Sequence, residues 1–266
     1  MKFISTSFLL GFFFLYTPPA KAEQITQCQS EFCQHYFNEF KKGAKRGHIR
    51  AYSALGQFYY VGYGTEKNEA EGVKYMYKAA RLGEVSAQYL IGVISISNED
   101  FFDAKRAVKY LKKAAKFDYK DANYILGTLF INDKLVAKDY KEADYYLARA
   151  YEQRDLRVPE LIASIADDLK NHEKHFPKLT TAMLEQPLMT SNTGEVSWPA
   201  DEMEVITITA PPLEERFKQE LVTFKKRKKT TGSKFLGKSC SQQAGCYQER
   251  LNGTSIDTYF RVSYHG

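Results

Sequence analysis

The sequence predicts an all-α fold, an α-solenoid of antiparallel helix pairs, followed by a small α+β C-terminal module. Three observations carry that expectation. The stretch KYMYKAARLG at 74–83 returns as KYLKKAAKFD at 109–118. Ala51, Ala87 and Ala122 recur at steps of 36 and 35 residues, with Gly56, Gly92 and Gly127 in the same register and Leu55, Ile91 and Leu126 just before those glycines. Tyr75, Tyr110 and Tyr146 recur at 35 and 36, as do Ala79, Ala114 and Ala150. A period of this length is the signature of stacked supersecondary units, because one helix pair cannot bury its apolar face alone.

Residues 1–22 read as a signal peptide. Lys2 supplies a positive start, Phe8 to Tyr16 form an apolar run too short to span a bilayer, and Ala20-Lys21-Ala22 has the small-x-small form of a cleavage site. Cleavage after Ala22 leaves Glu23 first, and with no cysteine there no lipid anchor is expected. The expected location is periplasmic or secreted. Residues 23–50 form an N-terminal capping element, with a helix over 31–46 that turns Phe37 and Phe40 inward. GAKRGHIRA at 43–51 matches AARLGEVSA at 79–87, so the pattern starts one helix before the first full unit.

About three units fill 51–155. Small residues at Ala51, Gly56, Ala79 and Ala80 let antiparallel helices approach, while Leu55, Tyr59 and Tyr75 fill the space beside them. A glycine inside a helix costs about 1 kcal/mol against alanine, so its return in three units points to a packing need. Residues 156–185 read as closing helices, one of them over 159–173, with Pro159 at its start and Leu161, Ile165 and Leu169 at helical spacing. Pro187, Gly194, Pro199 and several Ser, Thr and Asn mark 186–202 as a linker.

The module at 203–266 opens with a strand-like VITIT at 205–209. A helix follows Pro211-Pro212, with Leu213, Phe217, Leu221 and Phe224 on one face. Its acidic start and basic end suit the helix dipole. Asn252-Gly253 is a two-residue hairpin turn, and Thr258, Phe260, Val262 and Tyr264 alternate beyond it. This unit holds too little core to stand alone, so it packs on the preceding helix and strand or on the solenoid. Asn252-Gly253-Thr254 is also a glycosylation sequon.

Four cysteines fall in two close pairs, Cys28 with Cys33 and Cys240 with Cys246. Two short-loop disulfides are the simplest arrangement in an oxidising compartment, although four cysteines allow about three connectivities. A zinc site drawing on both pairs is the alternative. Without Lys2 and Lys21 the chain has 36 basic residues against 32 acidic ones, from the 38 and 32 of the full sequence. Lys225, Lys226, Arg227, Lys228 and Lys229 form one run, and without it the remainder is near neutral, which argues against a general polyanion-binding surface. That run fits a solvated helix end, or a contact with anionic lipid, cell-wall polymer or an acidic partner surface. Nucleic acid is not an expected partner of an exported chain.

The repeat residues resemble the Sel1-like repeat family, relatives of the tetratricopeptide repeat. The family pattern, A-x3-LG-x2-Y, a glycine turn, then an aromatic residue before KAA-x2-G, stands here as AYSALGQFYYVGYG and KYMYKAARLG. The second unit keeps AQYLIG and KYLKKAAKFD, and the third keeps ANYILG and YYLARAYEQ. The glycine turn gives way to NED and NDK in those units, and Asp118 stands where the first has Gly83, which leaves the loop geometry open. The likeness covers residues 35 to about 155.

The resemblance implies a concave groove lined by the first helix of each unit. Counting the repeat alanine as zero, positions 0, 4 and 8 share the packed side, and 2, 6 and 9 lie opposite. The opposite set is Ser53, Gln57 and Tyr60, then Tyr89, Val93 and Ile96, then Tyr124, Thr128 and Ile131. Such a groove would take a protein or peptide partner. The competing reading makes these residues core between units, above all the aliphatic ones. Some Sel1-like proteins are linked to β-lactam hydrolysis, but no S-x-x-K occurs here and Lys229-Thr230-Thr231-Gly232 is not the KTG arrangement. His172 and His175 with Asp168 read as a polar helix face, not a metal set, and no Gly-rich phosphate loop is present. The expectation is a chain that is not an enzyme and takes no cofactor or metal.

Overall fold

The computed structural model describes residues 25–171, 173–199 and 211–225. The proposed signal peptide, Cys240 and Cys246, the VITIT strand, the Asn252-Gly253 turn, His172 and the basic residues 226–229 lie outside them. Helix α1 spans Glu31–Lys45. Three pairs follow: α2 Ile49–Val61 with α3 Glu69–Arg81, α4 Val85–Ser97 with α5 Ala104–Ala115, and α6 Lys120–Asn132 with α7 Tyr140–Glu152. The chain is therefore a stack of helix pairs with a leading half unit.

Small residues at fixed places draw each pair together. Ala51, Ala79, Ala87, Ala114, Ala122 and Ala150 are fully buried. A side chain on Gly56 would meet the Met76 amide nitrogen at 2.7 Å and the Gly72 carbonyl at 2.8 Å, so α2 and α3 touch backbone to backbone. At Gly92 and Gly127 the intruding neighbours are Leu111 and Leu147, repeat-equivalent residues of α5 and α7. The glycines expected for packing are thus seated where the two helices of each unit cross.

Periodicity extends to the helix ends. Asn68, Asp103 and Asp139, again 35 and 36 apart, accept amide hydrogen bonds at the starts of α3, α5 and α7, from Glu71 at 2.9 Å, Arg106 at 2.8 Å and Glu142 at 3.1 Å. Each satisfies a donor that has no partner within its own helix. After the second helices the chain turns through positive φ at Gly47, Gly83, Asp118 and Arg154. Asp118, at φ 59°, keeps the left-handed turn that Gly83 makes at φ 98°, so the loss of the glycine does not alter this loop's course. Loops inside the pairs vary more. Gly62 and Asp133 end α2 and α6 in the left-handed region, whereas Asn98 is extended and leads into a 3-10 turn at Glu99–Phe101.

At the leading end, Cys28 and Cys33 are joined by a disulfide. The loop it closes lies along the α2–α3 turn, with the Cys28 amide on the Gly62 carbonyl at 3.2 Å and the Gly64 amide on the Cys28 carbonyl at 2.6 Å. At the trailing end the span 159–173 is not one helix. Helix α8 spans Val158–Ser164 and α9 spans Ala166–Asn171, separated at the buried Ile165, and the Ser164 hydroxyl donates to the Leu161 carbonyl at 2.7 Å at the break. Helix α10, Pro177–Glu185, docks on α7 through the buried carboxylate of Asp144, which accepts from the amides of Leu179 at 2.8 Å and Lys178 at 3.3 Å.

The span read as a linker holds a hairpin. Strand β1, Met189–Thr190, pairs antiparallel with β2, Val196–Ser197. Trp198 fixes it, its indole N–H on the Asp155 carbonyl at 3.1 Å and its ring 4.8 Å from that of Tyr151. Helix α11, Leu213–Lys225, is placed at the other end of the stack. Phe217 is fully buried among Tyr36, Phe40, Phe58 and Tyr63, with ring centroids 4.9–5.6 Å away. Phe224 fills the space that Gly43 leaves open, and Arg50 pairs with Glu220 at 3.4 Å. A half unit begins the stack, and α11 covers the apolar face that a complete unit would have covered.

Candidate partner-binding face

The first helices of the units, α2, α4 and α6, present the residues expected to line a groove. The structure separates them by depth. Ser53, Gln57, Val93 and Thr128 are buried, as is Ile131, so packing between units takes them. The Gln57 amide donates to the Ser53 hydroxyl at 3.3 Å, and the Thr128 hydroxyl donates to the Tyr124 carbonyl at 2.9 Å. Tyr60, Tyr89 and Tyr124 are half-buried. With Ile96, also half-buried, these three are the members of the set with surface to offer.

Each tyrosine is held by neighbours. The Tyr60 hydroxyl accepts from the Asn98 amide at 3.0 Å, and the same amide nitrogen reaches Glu69 at 2.9 Å. Burial pushes the Tyr60 phenol above its ordinary value, against the pull of the Asn98 hydrogen bond. Tyr89 stacks on Tyr119, with centroids 4.6 Å apart and planes 25° off parallel. Tyr124 lies under the Arg157 guanidinium, 4.0 Å from its ring centroid, and burial raises its phenol pKa.

Arg157 ties the aromatic site to the trailing end of the stack. Its guanidinium donates to Asp155 at 2.6 and 2.9 Å and to Asp121 at 2.6 Å. Burial alone would raise the Asp155 carboxyl, but hydrogen bonds from the side chain and amide of Arg157 hold it below its ordinary value. Burial opposes the charge on Arg157, yet its bonds to Asp155 and the nearby Asp121 raise its pKa. Stacked rings, the Asp121 carboxylate and a cation held by the buried Asp155 form a surface suited to aromatic contact and directional hydrogen bonding. Tyr119, Asp121, Asp155 and Arg157 were not among the residues singled out by helical position. Tyr119 stands 35 residues after Glu84, at the N-cap position of its helix, so the repeat itself carried the signal for that one.

The packed glycines, the caps at the starts of α3, α5 and α7 and the left-handed turns after the second helices repeat with the sequence period. The chain resembles Sel1-like repeat proteins. Among solved structures it is similar to a protective antigen of uropathogenic Escherichia coli strains displaying an SLR fold, at 20% identity and TM-score 0.47, over 57% of this chain and 33% of that one. It is also similar to a Sel1 repeat protein from Oxalobacter formigenes, at 22% identity and TM-score 0.47, over 57% of this chain and 64% of that one. The matched region spans less than two thirds of either. No family model and no curated protein matches the chain.

Proposed function

We propose that the protein is an exported, non-catalytic scaffold that holds a protein or peptide partner on the first-helix face of its solenoid. The observation that carries this reading is the pair Tyr89 and Tyr124, at equivalent places in successive units and half-buried. Tyrosine suits such a role because it combines a large rigid contact area with a polar tip. Tyr119 and Arg157 pre-orient the two rings, which lowers the entropy lost on capture. Export is supported by the charged and apolar N-terminal stretch and by the Cys28–Cys33 disulfide, a bond that persists in oxidising compartments.

The test is cross-linking and mass spectrometry of the exported protein in its native host, wild type against Tyr89→Ala with Tyr124→Ala. Loss of a specific captured partner with the thermal midpoint little changed is the expected result. Unchanged capture with a collapsed midpoint would make both tyrosines core residues and remove the face from consideration.

A further inference from the structure

Helix α5 is unlike the other second helices in charge. From Ala104 to Lys116 it carries Lys105, Arg106, Lys109, Lys112, Lys113 and Lys116 and no acidic residue. In α3 and α7 basic residues are mixed with Glu69 and Glu71, or with Glu142, Asp144 and Glu152. Arg106 is answered by Asp103 at 2.9 Å and Lys112 by Glu142 at 2.7 Å. Lys105, Lys109, Lys113 and Lys116 pair with no carboxylate among the described residues. At 100° per residue Lys105, Lys109, Lys112 and Lys116 form one stripe, opposite the buried Ala107, Leu111 and Ala114. A helix dipole favours cations at the last turn only, so it does not account for Lys105 in the first. The near-neutral balance of the chain outside residues 225–229 concealed this local excess.

The stripe continues onto α3, which lies beside α5 where the rings of Tyr77 and Tyr110 meet at 5.6 Å. Lys74, Lys78 and Arg81 stand 35 residues before Lys109, Lys113 and Lys116, and of these Lys74 is answered by Glu71 at 3.1 Å. A second, independent feature lies at the ends of the same two helices. Leu82 is 42% exposed and Phe117 is 47% exposed, at equivalent positions directly after Arg81 and Lys116. Two large apolar side chains thus stand in water within a cationic surface.

We propose that this edge of α3 and α5 docks on an anionic phospholipid surface. Lysine and arginine meet headgroup phosphates, and Leu82 and Phe117 enter the boundary of the acyl region. A soluble polyanion would use the cations and give the apolar tips no environment. A protein interface would instead call for a contiguous apolar centre from which lysine is depleted. This surface is built from second-helix residues, so it stands independently of the partner face on α2, α4 and α6.

The experiment uses the full mature chain and flotation with vesicles of phosphatidylcholine alone or of equimolar phosphatidylcholine and phosphatidylglycerol, at low and high salt. Wild type is expected to bind only the anionic vesicles, and less at high salt. Lys109→Gln with Lys113→Gln and Lys116→Gln should weaken binding about a hundredfold, at about fivefold per charge. Leu82→Ser with Phe117→Ser should abolish the salt-resistant remainder, whereas Phe102→Ser, at the opposite end of α5, should change nothing. Neutralising 225–229 should leave binding largely intact. Binding that survives the triple substitution, or that disappears only when 225–229 is neutralised, overturns the proposal. So does equal capture of soluble polyglutamate by wild type and by the Leu82→Ser, Phe117→Ser chain without vesicle binding. Thermal midpoints of the surface variants should match wild type.

Discussion

Replacing Phe217 by alanine tests how the two ends of the chain are joined. The ring is fully buried, 4.9 Å from Tyr36, 5.4 Å from Phe58 and 5.5 Å from Phe40. Truncating such a side chain costs about 3–5 kcal/mol when the site cannot collapse. Leu213, Phe217 and Phe224 are the buried apolar anchors of α11, at about 1.5–3 kcal/mol each, or roughly 5–9 together. A loss of about 3–5 kcal/mol is thus a large share of the apolar burial that holds α11 in place. The helix should detach while α2–α7 stay folded. Trypsin cutting at the exposed Lys218 reports that detachment, and a loss of about 3 kcal/mol corresponds to roughly a hundredfold faster cleavage. Phe40 and Phe58 would become accessible at the same time and bind a hydrophobic dye. If cleavage at Lys218 is unchanged, or if the whole array unfolds in one step with it, α11 does not act as a separable cover.

Six further substitutions probe other parts of the account. Gly56→Ala should destabilise by about 1–3 kcal/mol in urea titration, despite alanine's better helix propensity, because its methyl meets backbone of α3; Gly127→Ala, which meets the movable end of Leu147, should cost less. Ala79→Leu and Ala114→Leu should each cost about 1–3 kcal/mol by overpacking, and neutral results at both would contradict the tight helix contact. Asp144→Ala should lower stability by about 1–3 kcal/mol and raise amide exchange at Lys178 and Leu179, whose N–H groups lose their acceptor. His48 lies 5.0 Å from the Phe224 ring, and burial depresses its imidazole pKa below 6.5. Its unfolded form binds the proton more readily, so stability should fall as pH drops from above about 6.5 through the lower folded value. Denaturation midpoints at about pH 5 and pH 7.5 check this, and His48→Gln should flatten the difference.

The architecture was legible because close packing between helices leaves a mark on residue size. Ala51, Gly56, Ala79 and their equivalents can be only small, and they return with each unit. The helical spacing of Phe37 and Phe40, and of Leu213, Phe217 and Phe224, gave the buried faces of α1 and α11. What α11 covers was not legible, since its contact with α1 joins residues as distant in sequence as Tyr36 and Phe217 and leaves no periodic trace. The hairpin at 189–197 escaped for a similar reason. It is anchored by Trp198 on Tyr151 and Asp155, and its own turn-rich composition reads as a linker. On the candidate face, helical position gave one side of α2, α4 and α6 but not depth. A single helix cannot distinguish a residue packed against the next unit, such as Val93, from one left half-open, such as Tyr124. Arg157 lies beyond the last repeat, so no periodic argument could reach it.

Photo-cross-linking from the tyrosine positions tests the scaffold reading most directly. A photoreactive residue would replace Tyr89, Tyr124 or Lys109 in turn, in the chain expressed in its native host. The account predicts one common adduct from positions 89 and 124, and its absence from position 109 on the second-helix face. No adduct from either tyrosine position, or the same adduct from all three, would contradict it.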